Sequence, residues 1–199
     1  INSPSNPSGR ILSRNQLRAW VAAAHQVGAV LASDECYGEF AWEAEAISIL
    51  DPRVNDGDLI SLLAVHSVSK RSNAAGYRAG FVAGDPALVQ DLVQARKHLG
   101  MMVPGPVQAA LIAMLGDQEH VEEQRQRYLA RRAVLRPALE AAGLRVDDSE
   151  GSLYLWATRG EPCRDTIAWL AERGILAAPG DFYGEAGASH VRIALTATN

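Results

Sequence analysis

Leu59-Ile60-Ser61-Leu62-Leu63-Ala64-Val65-His66-Ser67-Val68-Ser69-Lys70 is an apolar run that ends in an imidazole, two hydroxyls and one of the chain's two lysines. A run that is apolar throughout, rather than alternating, is the pattern of a strand covered on both faces, as in a mostly parallel sheet with helices on both sides. Polar groups at the carboxyl end of such a strand lie where α/β sheets gather their chemistry. Two other runs repeat the pattern: residues 29–33 end in Asp34-Glu35, and residues 79–83 follow Gly76-Tyr77-Arg78.

The intervening segments read as helices. Ser13 and Gln16 form a capping box, Leu17, Trp20, Val21 and Ala24 follow at helical spacing, and Gly28 supplies the stop. Asp85 before Pro86 caps a second helix. Further helices are expected over 106–115, from Asp117 to about 142 and over 164–173, with strands over 153–156 and 190–195. The expected architecture is therefore α/β. Residues 1–117 would belong to a larger domain. Residues 118–199 would form a smaller α/β domain, entered by a long helix that Pro137 should kink.

Composition narrows the function. With 199 residues and 48% hydrophobic content the chain can bury a real core. A net charge of −4 gives no electrostatic footprint for nucleic acid or an anionic membrane. No apolar stretch reaches the roughly 20 residues of a membrane-spanning helix. Cys36 and Cys163 lack metal-ligand spacing and the five histidines are scattered, so no metal site is expected. The arginines between 125 and 136 share their segment with Glu119, Glu122 and Glu123, the pattern of a solvated helix face. The chain opens at Ile1 in a turn-rich segment, as expected of a piece of a larger protein that lacks its beginning and a short tail.

Lys70 carries the sharpest chemical reading. A lysine amine forms a Schiff base with a carbonyl cofactor, while Ser67 and the forked guanidinium of Arg78 suit a phosphate. Together they describe a covalently held phosphorylated aldehyde, pyridoxal 5′-phosphate. Asp34, at a strand end, would keep a pyridine nitrogen protonated, although a helix-capping role would also explain it. Arg192 stands in an otherwise apolar strand, where an unpaired guanidinium would be costly.

These residues resemble the class I/II aminotransferases of the fold type I pyridoxal-phosphate enzymes. Asn6-Pro7-Ser8-Gly9, Asp34-Glu35-Cys36-Tyr37, Ser67-Val68-Ser69-Lys70 with Gly76-Tyr77-Arg78, and Pro179-Gly180 followed by Arg192 occur in the family's order. The resemblance implies that Lys70 is the catalytic and cofactor-bearing residue. It implies that Asn6, Asp34, Tyr37, Ser67 and Arg78 bind the cofactor, that Arg192 with Asn6 binds substrate, and that the Asn6–Pro7 bond is cis. It implies amino-acid and 2-oxo-acid substrates and a homodimer; composition and chemistry point to a cytoplasmic setting.

The run Lys70-Arg71-Ser72-Asn73, with Gly151 to Trp156 and Pro179-Gly180-Asp181-Phe182-Tyr183-Gly184, is similar to actinobacterial N-succinyldiaminopimelate aminotransferases. That likeness implies amino transfer between N-succinyl-LL-2,6-diaminopimelate and 2-oxoglutarate or glutamate in lysine biosynthesis, with Arg71 either reading a distal carboxylate or facing solvent. Aspartate, alanine or aromatic aminotransferases and carbon–sulfur lyases would share every cofactor residue. A ligand-sensing domain of a transcription regulator is the non-enzymatic alternative.

Overall fold

The computed structural model describes residues 1–197. They fall into two compact units. The first comprises Ile1–Ser3, Leu12–Glu39 and Glu45–Glu122; the second comprises Pro4–Ile11, Phe40–Ala44 and the chain from Glu123 onward. Two short stretches that precede residue 117 in sequence thus belong with the second unit, because backbone pairing outranks chain order. Ser149 and Gly151 donate to the carbonyls of Ser8 and Gly9, and Trp42 donates to that of Glu150.

The first unit starts with helix α1, Arg14–Val27, closed at both ends as its sequence requires. Ser13 and Gln16 make the reciprocal capping box, and Gly28 terminates the helix in the left-handed region at φ 65°. Leu17, Val21 and Ala24 form its buried stripe, while Trp20, on the rim of that stripe, is 49% exposed. Strand β1 (Leu31–Asp34) pairs in parallel with β2 (Leu62–Ser67), and helix α2 (Pro52–Asn55) lies on the crossover. Leu31, Ile49, Val54, Leu62 and Ala64 join the α1 stripe in one core. Each fully buried branched side chain there contributes about 1.5–3 kcal/mol.

Beyond β2 the chain forms a single helical turn, α3 (Val68–Arg71), and a 3₁₀ turn, Ala75–Tyr77, before β3 (Gly80–Gly84). With no crossover to carry it back, β3 pairs antiparallel to β2, with Gly80 opposite Ser67. A Cβ on Gly80 would stand 2.5 Å from the His66 carbonyl oxygen, so only glycine admits this approach; Gly76 has open space around it. Helices α4 (Pro86–Leu99) and α5 (Gly105–Gly116) follow, and Val107, Leu111 and Met114 of α5 cover Val68, Ala74 and Ala79.

Helix α6, Glu119–Ala141, leads into the second unit and carries Pro137 within its span. The second unit's sheet has the order β4-β5-β7-β6, all antiparallel, from β4 (Arg145–Asp147), β5 (Tyr154–Thr158), β6 (Ala178–Pro179) and β7 (Val191–Ala194). Helix α7 (Cys163–Ala171) precedes β6, and two 3₁₀ turns, Gly180–Tyr183 and Glu185–Gly187, separate β6 from β7. Among the described residues no helix is long and apolar enough to cross a membrane.

Candidate active site

The parallel pairing of β1 and β2 brings two strand ends to the same edge, and the antiparallel return of β3 begins there. Asp34 closes β1, Ser67 closes β2, and Arg78 stands two residues before β3. Lys70 follows on α3, with its Nζ 6.0 Å from the centroid of the Tyr37 ring. The first unit therefore gathers Asp34, Tyr37, Ser67, Lys70 and Arg78 at one end of its sheet, by strand direction rather than by sequence proximity.

Each group is oriented by local bonding. The Asp34 carboxylate accepts from the Cys36 amide at 3.1 Å, and its backbone carbonyl accepts from the Asn2 side chain and the Ser3 amide. Burial, then the hydrogen bond and charge of Asp34, push the Cys36 thiol up to about 12. The thiol therefore stays protonated and serves Asp34 as a neutral donor. Ser67 caps α3: its Oγ accepts from the Ser69 amide at 3.1 Å and lies 2.9 Å from the Ser69 hydroxyl. The Arg78 guanidinium is exposed and donates to the Ala75 carbonyl at 2.9 Å. Arg78 itself is held in the left-handed region at φ 53°. Tyr37 is buried, so its ring is a fixed wall beside Lys70.

Arg71 points elsewhere. Its guanidinium contacts Glu39, the Met114 and Asp117 carbonyls and the Gln118 side chain, so its donors are committed within the first unit. That bonding removes it as a reader of a distal carboxylate.

Glu35, 5% exposed, accepts from the Ile49 amide at 2.8 Å and faces His66 Nε2 at 3.4 Å. His66 stacks on Phe81. These groups line a cavity of about 290 Å³ that also reaches Cys36, Ser67 and Arg71. Burial pushes the Glu35 carboxyl up, but the His66, Ile49 and Ser48 hydrogen bonds outweigh it and hold the carboxyl below its ordinary 4.5. Because folding lowers this pKa, its stabilisation is present above 4.5 and lost as pH falls through the folded value. Glu35→Ala is expected to cost about 1–3 kcal/mol at pH 7, with the difference shrinking in acid. Melts of parent and variant full-length protein at pH 7 and pH 4 measure this, and a difference that grows on acidification would refute it.

The second unit holds the other candidates. Asn6 lies in the turn Asn6-Pro7-Ser8-Gly9, whose Asn6–Pro7 bond is cis. Its side-chain oxygen accepts from Arg192 at 2.8 Å. Arg192, on β7 opposite Trp156 of β5, lays its guanidinium 4.0 Å from the Tyr154 ring centroid and 5.2 Å from that of Tyr183. The two aromatics were not singled out as site residues in the sequence. The signal for Tyr154 was its period-two relation to Trp156, whereas Tyr183 reaches Arg192 only through the turn after β6.

The donor set fits pyridoxal phosphate. An amine, a carboxylate on the adjoining strand end, a phenol, paired hydroxyls and an exposed guanidinium complement an aldehyde, a pyridine nitrogen, a phenolic oxygen and a phosphate. Among the described residues no group of three or more acidic, histidine or cysteine side chains is placed to hold a metal ion.

Comparison with known proteins agrees with this chemistry. The family model for aminotransferase class I and II matches residues 1–199. The chain is 61% identical over 199 residues to a probable aminotransferase of Mycobacterium tuberculosis, covering all of this chain and 48% of that protein. It is equally 61% identical to the 4-dedimethylamino-4-oxo-anhydrotetracycline transaminase OxyQ of Streptomyces rimosus, covering 55% of it. The chain thus spans about half the length of the curated relatives it matches. The solved N-succinyldiaminopimelate aminotransferase of Mycobacterium tuberculosis superposes with a TM-score of 0.86 at 26% identity, over 98% of this chain and 53% of that one. On these grounds the chain belongs to the class I and II aminotransferases and has their fold type I architecture.

Proposed function

We propose that the full-length protein is a pyridoxal-phosphate-dependent transaminase. The observation that supports this best is the placement of Lys70 beside Tyr37, past the end of β2, with the Asp34 carboxylate closing the neighbouring strand. When bound, the cofactor supplies a carbonyl that condenses with amines and a ring that takes up the electrons left by a departing Cα proton. Asp34 holds the proton on the pyridine nitrogen. Tyr37 would donate to the phenolic oxygen, a role the family resemblance also implies for Asn6. Ser67 and Arg78 bind the phosphate. Lys70 would supply the amine that moves the proton at the substrate Cα. Arg192 grips the α-carboxylate with the donors that Asn6 does not use.

For the substrates, the proposal names N-succinyl-LL-2,6-diaminopimelate with 2-oxoglutarate or glutamate, and it includes a cytoplasmic homodimer. A second reading, amination of a cyclic ketone, has the 61% identity to OxyQ in its favour. Both need a reader of the acceptor other than Arg71. Turnover of each acceptor by purified full-length protein, with glutamate as donor, separates them; turnover of neither would remove both. Arg192→Ala is expected to raise KM for the amino acid about 100-fold, the scale of deleting one partner of a buried charge pair, with the cofactor still bound. Unchanged KM would dismiss the carboxylate role.

A further inference from the structure

Asp181, Phe182 and Tyr183 follow Gly180 in a rigid turn. Gly180 has no room for a side chain: a Cβ would lie 2.1 Å from the Gly187 carbonyl oxygen, 2.4 Å from that of His190 and 2.8 Å from the Trp156 ring. Its amide donates to the His190 carbonyl at 2.8 Å. Asp181 is clasped by Arg164 of α7 through two bonds of 2.8 and 2.9 Å, and the Phe182 ring lies 4.9 Å from the same guanidinium. Arg164 thus engages both residues and leaves Tyr183 to the sheet side.

There Tyr183 meets the Trp156 ring edge-on, with centroids 6.0 Å apart and planes at 82°. Trp156 is itself fixed, because His190 stacks on it within 3° of parallel at 5.0 Å. His190 is tied in turn to Asp147 at 2.9 Å. Arg145 first, and His190 after it, hold the Asp147 carboxyl down at about 2, so this anchor stays charged through the working range. The chain of contacts from Asp147 to His190, Trp156 and Tyr183 ends at the Arg192 guanidinium.

We propose that Tyr183 is a positioning residue for the carboxylate grip: with Tyr154 it cages the Arg192 guanidinium between two rings and orients its donor edge. A guanidinium lowers its energy over an aromatic face without spending a hydrogen-bond donor, so the rings fix the group while its N–H bonds remain for an anion. A free arginine would lose rotamer entropy on every binding event; a caged one has already lost it. This inference rests on the reading of Arg192 as the carboxylate ligand.

The test compares steady-state kinetics of full-length parent, Tyr183→Ala, Tyr183→Phe and Arg192→Ala, with glutamate as the amino donor. Tyr183 is 38% exposed, so its truncation leaves the core intact. Tyr183→Ala is expected to raise KM about tenfold with kcat within about twofold, and Tyr183→Phe, which keeps the ring, to restore the parent KM. If Tyr183→Ala leaves KM unchanged while Arg192→Ala raises it, the cage fails and the carboxylate reading stands. Should Phe behave like Ala, the hydroxyl rather than the ring face is responsible and the cage fails again. If Arg192→Ala leaves KM unchanged, the carboxylate reading fails and the cage with it.

Discussion

Lys70→Ala is expected to lower turnover of the full-length protein by roughly 10⁴-fold or more and to abolish any borohydride-reducible bond between protein and cofactor. Two separate duties end together in this variant. The lysine amine beside the Tyr37 wall is removed, and the chain's other lysine, Lys97, lies on α4. The proposed proton shuttle at the substrate Cα would be lost with it. The fold should survive, because α3 is closed by Ser67 and anchored by Val68 rather than by the lysine. Ser67 and Arg78 also remain to hold the phosphate, so cofactor should still bind, though reversibly. Absorbance of the dialysed variant, with and without borohydride, measures this directly. A reducible adduct that persists in Lys70→Ala would sink the assignment.

Asp34→Asn carries the second largest expected effect, a fall of about 10³-fold in kcat with little change in KM. The substitution conserves shape: the amide oxygen can still accept from the Cys36 backbone. What disappears is the negative charge that, in the proposed site, would keep a pyridine nitrogen protonated and let the ring draw electrons from the substrate. A cofactor methylated at that nitrogen carries the positive charge permanently. Reconstitution with it should therefore recover a large part of the lost rate. A kcat within tenfold of the parent, or no recovery with the methylated cofactor, would show that Asp34 acts only as a strand-end turn residue.

Much of the site end of the first unit's sheet was legible because it depends on local chemistry. Apolar runs ending in Asp34 and in Ser67 to Lys70 announce strand ends, and the capping box at Ser13 announces α1. Where the reading slipped, tertiary bonding explains it. The strand expected over 59–65 is displaced to Leu62–Ser67 because residues 58–61 form a turn. There the Ile60 amide binds Asp58, the Leu62 amide binds the Leu59 carbonyl, and Ser61 takes φ 60°. The strand expected over 29–33 begins at Leu31, since Ala29 still donates to the Ala24 carbonyl of α1. The displacement of β2 places His66 and Ser67 inside a strand, with His66 on the Glu35 side.

Residue type and spacing alone determined which groups can supply such chemistry: Lys70 is an amine, Asp34 a carboxylate, and Arg78 and Arg192 are forked guanidinium groups. Those properties belong to side chains and survive any arrangement of the backbone. Tertiary structure alone decided what surrounds them. Arg71 is consumed by Glu39, Met114 and Gln118, the Cys36 thiol is turned to Asp34, and Arg192 is walled by Tyr154 and Tyr183. Partners drawn from distant strands and turns become neighbours only when the sheets set strand order and register, and a linear chain does not state these.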